Sequence, residues 1–598
     1  MKKNSSCPPG SFRRSVVLIT LGLLIGSLTG PAALASPFFQ LYDVWTPANS
    51  DLGAGTSPGI EPHFVYAIGV DWRDHVLVAC EGRFNQGTAA HIALYGSTDG
   101  GPKHLLLRVS WNRGQSWTQD FRVETANVDS ESWTNPALVI DGAKTYIFYT
   151  GSLDGSGKDV FYREVFNNID STGAGTVTFG PRQDITNLWA SRVADFGWNS
   201  HGPIGHGIKL LKGTHRGRVM LAFHHQTTTG TTPQTKLKSI DVLFKNPGGS
   251  WQVSTEPLED TLLVPQITAT TADDVDPGES RLAERADGSF FLITRKETNT
   301  WPTTANPEYR PRMRAAANWS TTDPTAIAWG GWVNAVGITG TTKTDGGLLR
   351  FSDTAHLYSF SNNPANNGTN VRRYMALRLS TDGGVNWPGS PKDIYAPGVS
   401  TYTEPGSATY SDLARDSYGN IYCIFGRDGT KEDGTAANHN QGPNAKVTVA
   451  KFNLEWVTGT VTPTILLDNG ASTFTTTGTW AYDSSVPGHC GADFRTTTSG
   501  TATARWTPTI TTAGNYEIYI RWTAAANRPT AVPVTIKYNG GSSTYTVPAA
   551  DKPNQQIEGG TWHYLTTKNL SAGSGNYVEI TGTAGKTTVA DAVMFQKQ

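Results

Sequence analysis

Ser380-Thr381-Asp382-Gly383-Gly384-Val385-Asn386-Trp387 closes the apolar run Tyr374–Ser380, and Ser110-Trp111-Asn112-Arg113-Gly114-Gln115-Ser116-Trp117 closes the run His104–Ser110. Both fit S-x-D-x-G-x-x-W, the second with Asn in place of Asp. Asp or Asn with Gly builds a tight turn, and the terminal Trp folds back to pack on the sheet. Two such turns, each after a strand, point to small antiparallel sheets repeated along the chain. Further short apolar or alternating runs occupy His75–Glu81, Thr145–Thr150, Arg218–Phe223, Ser289–Thr294 and Ile421–Phe425, each bounded by Gly, Asn, Asp or Pro. No segment carries the apolar spacing of a long helix. Recurrence of such groups at roughly 40–70 residues is what a β-propeller gives.

Composition agrees. Among 598 residues are 64 Gly, 33 Pro, 18 Trp, 22 Phe and 21 Tyr, while 17% are charged, against roughly 25% in an ordinary soluble chain. Frequent turns and β-branched runs fit a mostly β chain, and the aromatic residues can fill a large core, which excludes disorder. Neither a G-x-y period nor a long heptad run is present, so collagenous and coiled-coil chains are excluded too.

Residues 1–35 read as an address. Lys2, Lys3, Arg13 and Arg14 precede the apolar run Val16–Leu28, and Ala33-Leu34-Ala35 offers small residues for cleavage before Ser36. The Arg13-Arg14 pair is compatible with a twin-arginine signal. The expected location is therefore secreted, periplasmic or at the cell surface, without membrane insertion. Cleavage leaves 45 Lys and Arg against 50 Asp and Glu, a formal charge of −5. That balance recommends no nucleic-acid partner. Cys80, Cys423 and Cys490 remain, and buried free thiols are the expectation, ahead of a Cys80–Cys423 bridge. No metal motif is found; His201, His206 and the His224-His225 pair read as structural histidines.

The stretch Val457-Thr458-Gly459-Thr460-Val461-Thr462-Pro463 reads as a linker, with a propeller over 36–456, the linker at 457–464 and an independent β-sandwich over 465–598. Alternating segments Thr501–Trp506, Tyr516–Trp522 and Val534–Tyr538 support the last. Trp480, Trp522 and Trp562 are either sugar-stacking or core residues, with core the expectation for each.

The two turn repeats resemble the Asp-boxes of the sialidase (neuraminidase) superfamily, and the resemblance extends over most of residues 60–430. Glu81-Gly82-Arg83 is similar to the family's E-G-R, Trp133-Thr134-Asn135-Pro136 to its W-x-N-P, and Gly202-Pro203-Ile204-Gly205-His206-Gly207-Ile208 to its G-P-G-x-G-I. Ser359-Phe360-Ser361-Asn362-Asn363-Pro364 leads through Arg372 to the second turn repeat, and Ala408-Thr409-Tyr410-Ser411-Asp412-Leu413 resembles A-Y-S-D-L. The resemblance implies an all-β fold, a six-bladed propeller followed by the sandwich. It places Tyr410 on the nucleophile, Glu279 on the glutamate that activates it, and Arg295 and Arg372 on two members of a triad that grips a sugar carboxylate. A sialic acid carries that carboxylate on its anomeric carbon, where a neutral phenol avoids the repulsion a carboxylate nucleophile would meet. Guanidinium forks give charge-assisted bidentate bonds to it.

Departures from the family are equally specific. Phe64, in His63-Phe64-Val65-Tyr66, replaces the first triad arginine, and Gly426 replaces the glutamate that supports it. Arg427 and Arg83 are the candidate replacement cations, Arg427 being expected to share a carboxylate with Arg295 and Arg372. Asp99 is the default general acid, as the one carboxylate between Glu81 and Asp120. The C-terminal region resembles golvesin-type domains through Thr477-Gly478-Thr479-Trp480, Ala502-Thr503-Ala504-Arg505-Trp506, Gly514-Asn515-Tyr516-Glu517 and Ala590-Asp591-Ala592-Val593, implying a sandwich with a glycan-binding role. The expectation is a monomeric retaining exo-sialidase that acts on glycoconjugates without a cofactor. The rivals are a propeller hydrolase or lyase acting on another sugar and a non-catalytic carbohydrate-binding protein.

Overall fold

Successive β-strands make up nearly all of the regular structure. The computed structural model describes residues 37–46, 60–84, 102–128, 131–152, 159–169, 175–190, 198–227, 238–254, 277–296, 312–320, 323–338, 344–362, 374–396, 408–427, 446–460 and 462–598. Cut by Gly-containing turns, the alternating apolar runs pair with their sequence neighbours in antiparallel groups. The first group is Ile60–Val70, Val76–Phe84, Lys103–Ser110 and Phe121–Glu124. The next is Ser132–Asp141, Lys144–Ser152, Asp159–Ile169 and Gly175–Phe179. A third comprises Trp198–Gly202, Val219–Thr227, Lys238–Lys245 and Trp251–Val253. Pro277–Glu284 opens a fourth with Phe290–Lys296, Arg312–Trp319 and Ile327–Asn334. Leu348–Arg350 opens a fifth with His356–Asn362, Tyr374–Ser380 and Lys392–Tyr395. The last, Ala408–Arg415, Asn420–Arg427 and Lys446–Asn453, is completed by the N-terminal strand Phe39–Trp45.

The inner strands close a ring. Ile60–Val70 packs on Ser132–Asp141 and on Ala408–Arg415. Between these two the ring continues through Val219–Thr227, Pro277–Glu284 and Leu348–Arg350. Apolar clusters between neighbouring groups cement it, among them Phe360, Trp387 and Phe291 in one and Trp319, Phe244 and Phe290 in another. Both turn repeats close by the same bonds. Ser380 Oγ donates to Asp382, which accepts from the Asn386 amide at 2.9 Å. Likewise Ser110 Oγ donates to Asn112, which accepts from the Ser116 amide at 2.9 Å. Trp387 is fully buried, as the turn chemistry requires.

Residues 464–597 form a four-stranded sheet containing Gly514–Arg521 and Ala592–Lys597 and a five-stranded sheet containing Thr503–Trp506 and Val534–Tyr538. One apolar cluster, with Ile518 and Phe595 from the first and Trp506 and Ile580 from the second, fills the space between them. Trp480 and Trp522 are buried in that cluster, in agreement with the core reading. Cys80, Cys423 and Cys490 are buried and free.

The linker expectation needs correcting in one respect. Leu454–Thr458 is a short helix whose first turn is capped by Asn453 and whose end is stopped by Gly459 at φ +71°. Beyond it the chain does not swing free. Glu517, fully buried, accepts from the Asp353 amide (2.5 Å) and from Arg350 (3.3 Å). Arg415 reaches Gln596 (2.5 Å), Trp562 Nε1 donates to Ser417 (3.0 Å), Arg521 donates to the Trp72 carbonyl, and Lys209 donates to Thr561 (3.2 Å). Gly142, at φ +64°, lies so near Gly559 that a Cβ would come within 2.2 Å of its carbonyl oxygen. All these partners lie at the C-terminal ends of the inner strands or in the turns beyond. The C-terminal region therefore covers one end of the ring and does not stand apart from it as a linker and an independent sandwich would. A cavity of about 150 Å³ at this junction is lined by Asp71, Trp72, Asp74, Arg415, Arg521 and Trp562.

Candidate active site

The other end of the ring is built from bulges. The register shifts between Phe64 and Tyr66, between Thr134 and Ala137, between Pro277 and Ser280, and between Thr409 and Ser411. Val65 (φ 50°), Asn135 (φ 56°) and Tyr410 (φ 45°) stand in the left-handed region within these irregularities. A bulge leaves one residue out of the ladder and re-aims its neighbours. For valine and tyrosine that conformation is strained, of order 1–3 kcal/mol, and persists only where surroundings over-determine it. Recurrence of the device at the N-terminal ends of neighbouring inner strands turns their side chains toward one place.

Tyr410 is at the centre of it. Its hydroxyl accepts a hydrogen bond from Arg295 Nη1 at 3.1 Å, and the same nitrogen donates to Glu279 Oε2. Glu279 and Tyr410 are both buried, 8% and 7% exposed, so the guanidinium acts on the phenol in a medium that screens it weakly. One guanidinium nitrogen thus bridges the phenolic oxygen and the carboxylate. Phe64 meets the Tyr410 ring edge-on at 4.7 Å between centroids. Arg83 in turn stacks on Phe64, its guanidinium carbon 4.1 Å from the ring centroid. Arg83 is held by Glu81 through Nε (3.1 Å) and Nη2 (3.0 Å), and Glu81 Oε1 accepts from the amide of the bulged Asn135 at 3.1 Å. Glu81-Gly82-Arg83 thus ties two inner strands together, Arg83 through the Phe64 ring and Glu81 through the Asn135 amide.

Arg427 turns the other way. Its guanidinium crosses the neighbouring strand to reach Thr448 (2.7 Å) and Asp43 (2.5 Å) on the outermost strand, and it is 1% exposed. Of the two candidate replacement cations, Arg83 is the one whose described contacts lead through Phe64 to Tyr410. Asp99 and Arg372 lie outside the described residues. No group of acidic, Cys or His residues among the described residues could hold a metal ion.

Beneath Tyr410 lies a layer that sequence reasoning did not single out. Asp412, two residues on and fully buried, accepts from His206 Nδ1 (2.7 Å), Arg281 Nε (3.3 Å) and the Ile68 amide (3.1 Å). Arg281 Nη2 also pairs with Asp345. Burial pushes the Asp412 carboxyl up, but His206, Arg281 and the Ile68 amide outweigh it and hold it below the usual carboxylate range. Gly205, at φ +83°, lies so close to Arg281 that a Cβ would stand 2.3 Å from its Nε, which explains why the Gly202–Ile208 stretch needs glycine there. The signal was present: His206 lies in the Gly202–Ile208 motif and Asp412 in the Ala408–Leu413 motif, whereas Arg281 and Asp345 lie in none.

Residues 465–597 match the family model of the Golvesin C-terminal domain. A xanthan lyase of Bacillus sp. (strain GL1) is 35% identical over 141 residues, 22% of this chain. The chain spans only 14% of that curated relative. Among solved structures, Trypanosoma rangeli sialidase in complex with sialic acid is 11% identical, with 94% of this chain and 96% of that one covered and a TM-score of 0.48. The intramolecular trans-sialidase from Ruminococcus gnavus in complex with oseltamivir carboxylate is 12% identical, with 69% and 97% covered and a TM-score of 0.41. Residues 465–597 are thus a golvesin-type region.

Proposed function

We propose that this protein is a secreted, retaining exo-glycosidase of the sialidase type, built on a six-bladed propeller with a C-terminal sandwich, that removes terminal sialic or related acidic sugars from glycoconjugates. The observation that carries the reading is the Tyr410 hydroxyl held by Arg295, which also holds Glu279. In this reading the Tyr410 oxygen bonds to the anomeric carbon while its proton passes to Glu279. The glycosidic oxygen leaves with a proton from a general acid, for which Asp99 is the candidate. Water then attacks the glycosyl-tyrosine and gives its proton to the carboxylate that the general acid has become, while Glu279 returns its proton to the departing Tyr410 oxygen. Arg295, Arg372 and Arg83 hold the sugar carboxylate.

A hydrolase or lyase acting on a different sugar is favoured by one observation, the packing of Phe64 on Tyr410 where the family has an arginine. Arg83→Met separates the two. On the first reading it weakens binding of an anionic sugar roughly 10- to 150-fold, the worth of a charge-assisted contact of about 1.5–3 kcal/mol. Binding of a neutral glycoside stays unchanged. Equal affinity of wild type and variant for the acid removes Arg83 from the carboxylate site. The decisive experiment on the reading itself is product detection with the purified protein against α-sialosides and other terminal glycosides. Release of a neutral sugar, or of an unsaturated product, in place of sialic acid would overturn it.

A further inference from the structure

Trp480 and Trp522 are core residues, but Trp562 is not in the apolar cluster that holds them. It lines the cavity of about 150 Å³ at the junction instead, half-buried, with its Nε1 donated to Ser417 at 3.0 Å. The core reading is corrected for this residue. Two parts of the chain build the cavity: Asp71, Trp72, Asp74 and Arg415–Ser417 from the ring, Arg521 and Gly560–Trp562 from the C-terminal region. It lies toward the Arg415 end of the strand Ala408–Arg415, away from Tyr410.

The polar groups of the lining are of two kinds. Asp71 is taken up by the Arg73 and His75 amides, the His75 ring and Asn167. Asp416 is taken up by the Tyr418 and Asn420 amides, the Asn420 side chain and Tyr422. The others keep capacity. Arg521, 2% exposed, gives Nε to the Gly488 carbonyl and Nη2 to the carbonyls of Trp72 and His489, and its Nη1 has no acceptor among the described residues. Arg415 donates from Nη1 alone, to Gln596 and the Phe351 carbonyl. Asp74, 7% exposed, takes donors from Ser417 and from no other described residue. Groups of this kind need partners inside the cavity, from water or from a ligand.

A sugar ring uses all of them at once. Its hydroxyls accept from guanidinium nitrogens and donate to the Asp74 carboxylate, while its C–H faces pack on the indoles of Trp72 and Trp562. A simple anion would meet Asp71, Asp74 and Asp416, a simple cation would meet Arg415 and Arg521, and an apolar ligand would leave those groups unpaired. The volume suits a single six-membered ring. We propose that the junction cavity is a non-catalytic binding site for one neutral hexose residue of a glycan, present only while the C-terminal region is docked on the ring. The site goes beyond the proposed reaction and does not depend on it.

The test is calorimetric titration of the whole protein with the methyl glycosides of glucose, galactose and mannose. At least one should bind with a Kd on the order of 1 mM, ordinary for a ligand of that size. Trp72→Ala should weaken that binding on the order of 10-fold and leave turnover unchanged. Asp74→Asn keeps an acceptor for the Ser417 amide and suits the backbone at φ 62°. It should also weaken binding on the order of 10-fold, and it serves if the Trp72 variant does not fold. No binding of any of the three glycosides at tens of millimolar means a cavity filled by water alone and overturns the proposal. Wild-type affinity in either folded variant overturns it too. If the protein releases no sialic acid while both variants lose the hexoside, the proposed reaction falls and this site stands.

Discussion

Replacing Tyr410 by Phe should cut turnover by at least ~10³-fold while leaving the fold in place. The variant removes one hydroxyl and one hydrogen bond, from Arg295 at 3.1 Å, worth about 1 kcal/mol of stability. The ring stays, and with it the edge contact to Phe64 at 4.7 Å. The backbone at φ 45° is unaffected, since Phe and Tyr have the same requirements there. Turnover is different, because in the proposed reaction the phenolic oxygen is the atom that bonds to the sugar. A variant that unfolds at the wild-type temperature and still turns over its substrate at near-normal rate would remove Tyr410 from the chemistry. Glu279→Gln offers the complementary case: the Arg295 contact can persist, but the proposed proton acceptor is gone, and turnover should fall with little change in KM.

The second large effect concerns the covered end of the ring. Glu517→Ala should cost about 3–5 kcal/mol, because Arg350 and the Asp353 amide stay buried after losing an acceptor. For a protein whose whole stability is ~5–15 kcal/mol that is a large share, and with an unfolding entropy of ~1.2 kcal/mol/K for a chain this long it lowers the unfolding temperature by roughly 3–4 °C. Cutting the chain near Val461 should do more. It removes the partners of Arg350, Arg415, Ser417 and Lys209 together and uncovers the ends of several inner strands at once. Activity on a small soluble substrate should fall with stability, although Tyr410 is five residues, ~17 Å along its strand, from the Arg415 end. A truncated protein that melts with the full chain and keeps its activity would restore the picture of a tethered, separable module.

Strand placement was open to sequence reasoning because a strand announces itself locally. Tyr374–Ser380 and Val534–Tyr538 were read to the residue, and Ile421–Phe425 lies within Asn420–Arg427. Period-two alternation and the turn residues at each end suffice for that. Burial of Trp387 followed from turn chemistry, and the free thiols from cysteine number and spacing.

Side-chain direction was another matter. Arg83 and Arg427 both sit in strands next to inner ones, and nothing in the sequence separates them as partners for Arg295. A bulge decides such questions by a single residue, and pairing register is a property of two strands, not one. The same holds for Arg281, Asp345 and Asp412, which come from chain segments more than sixty residues apart. The linker reading erred for a related reason: composition shows where a chain turns polar and Gly-rich, but not which surface the next segment will dock on. By itself, then, the sequence determined the all-β class, the turn repeats, the positions of most strands and the types of residue offered for chemistry. The closed ring, the burial of Glu517 against it and the meeting of Tyr410 with Arg295 and Glu279 were decided by tertiary structure, because each depends on long-range pairing and on the loss of water between groups distant along the chain.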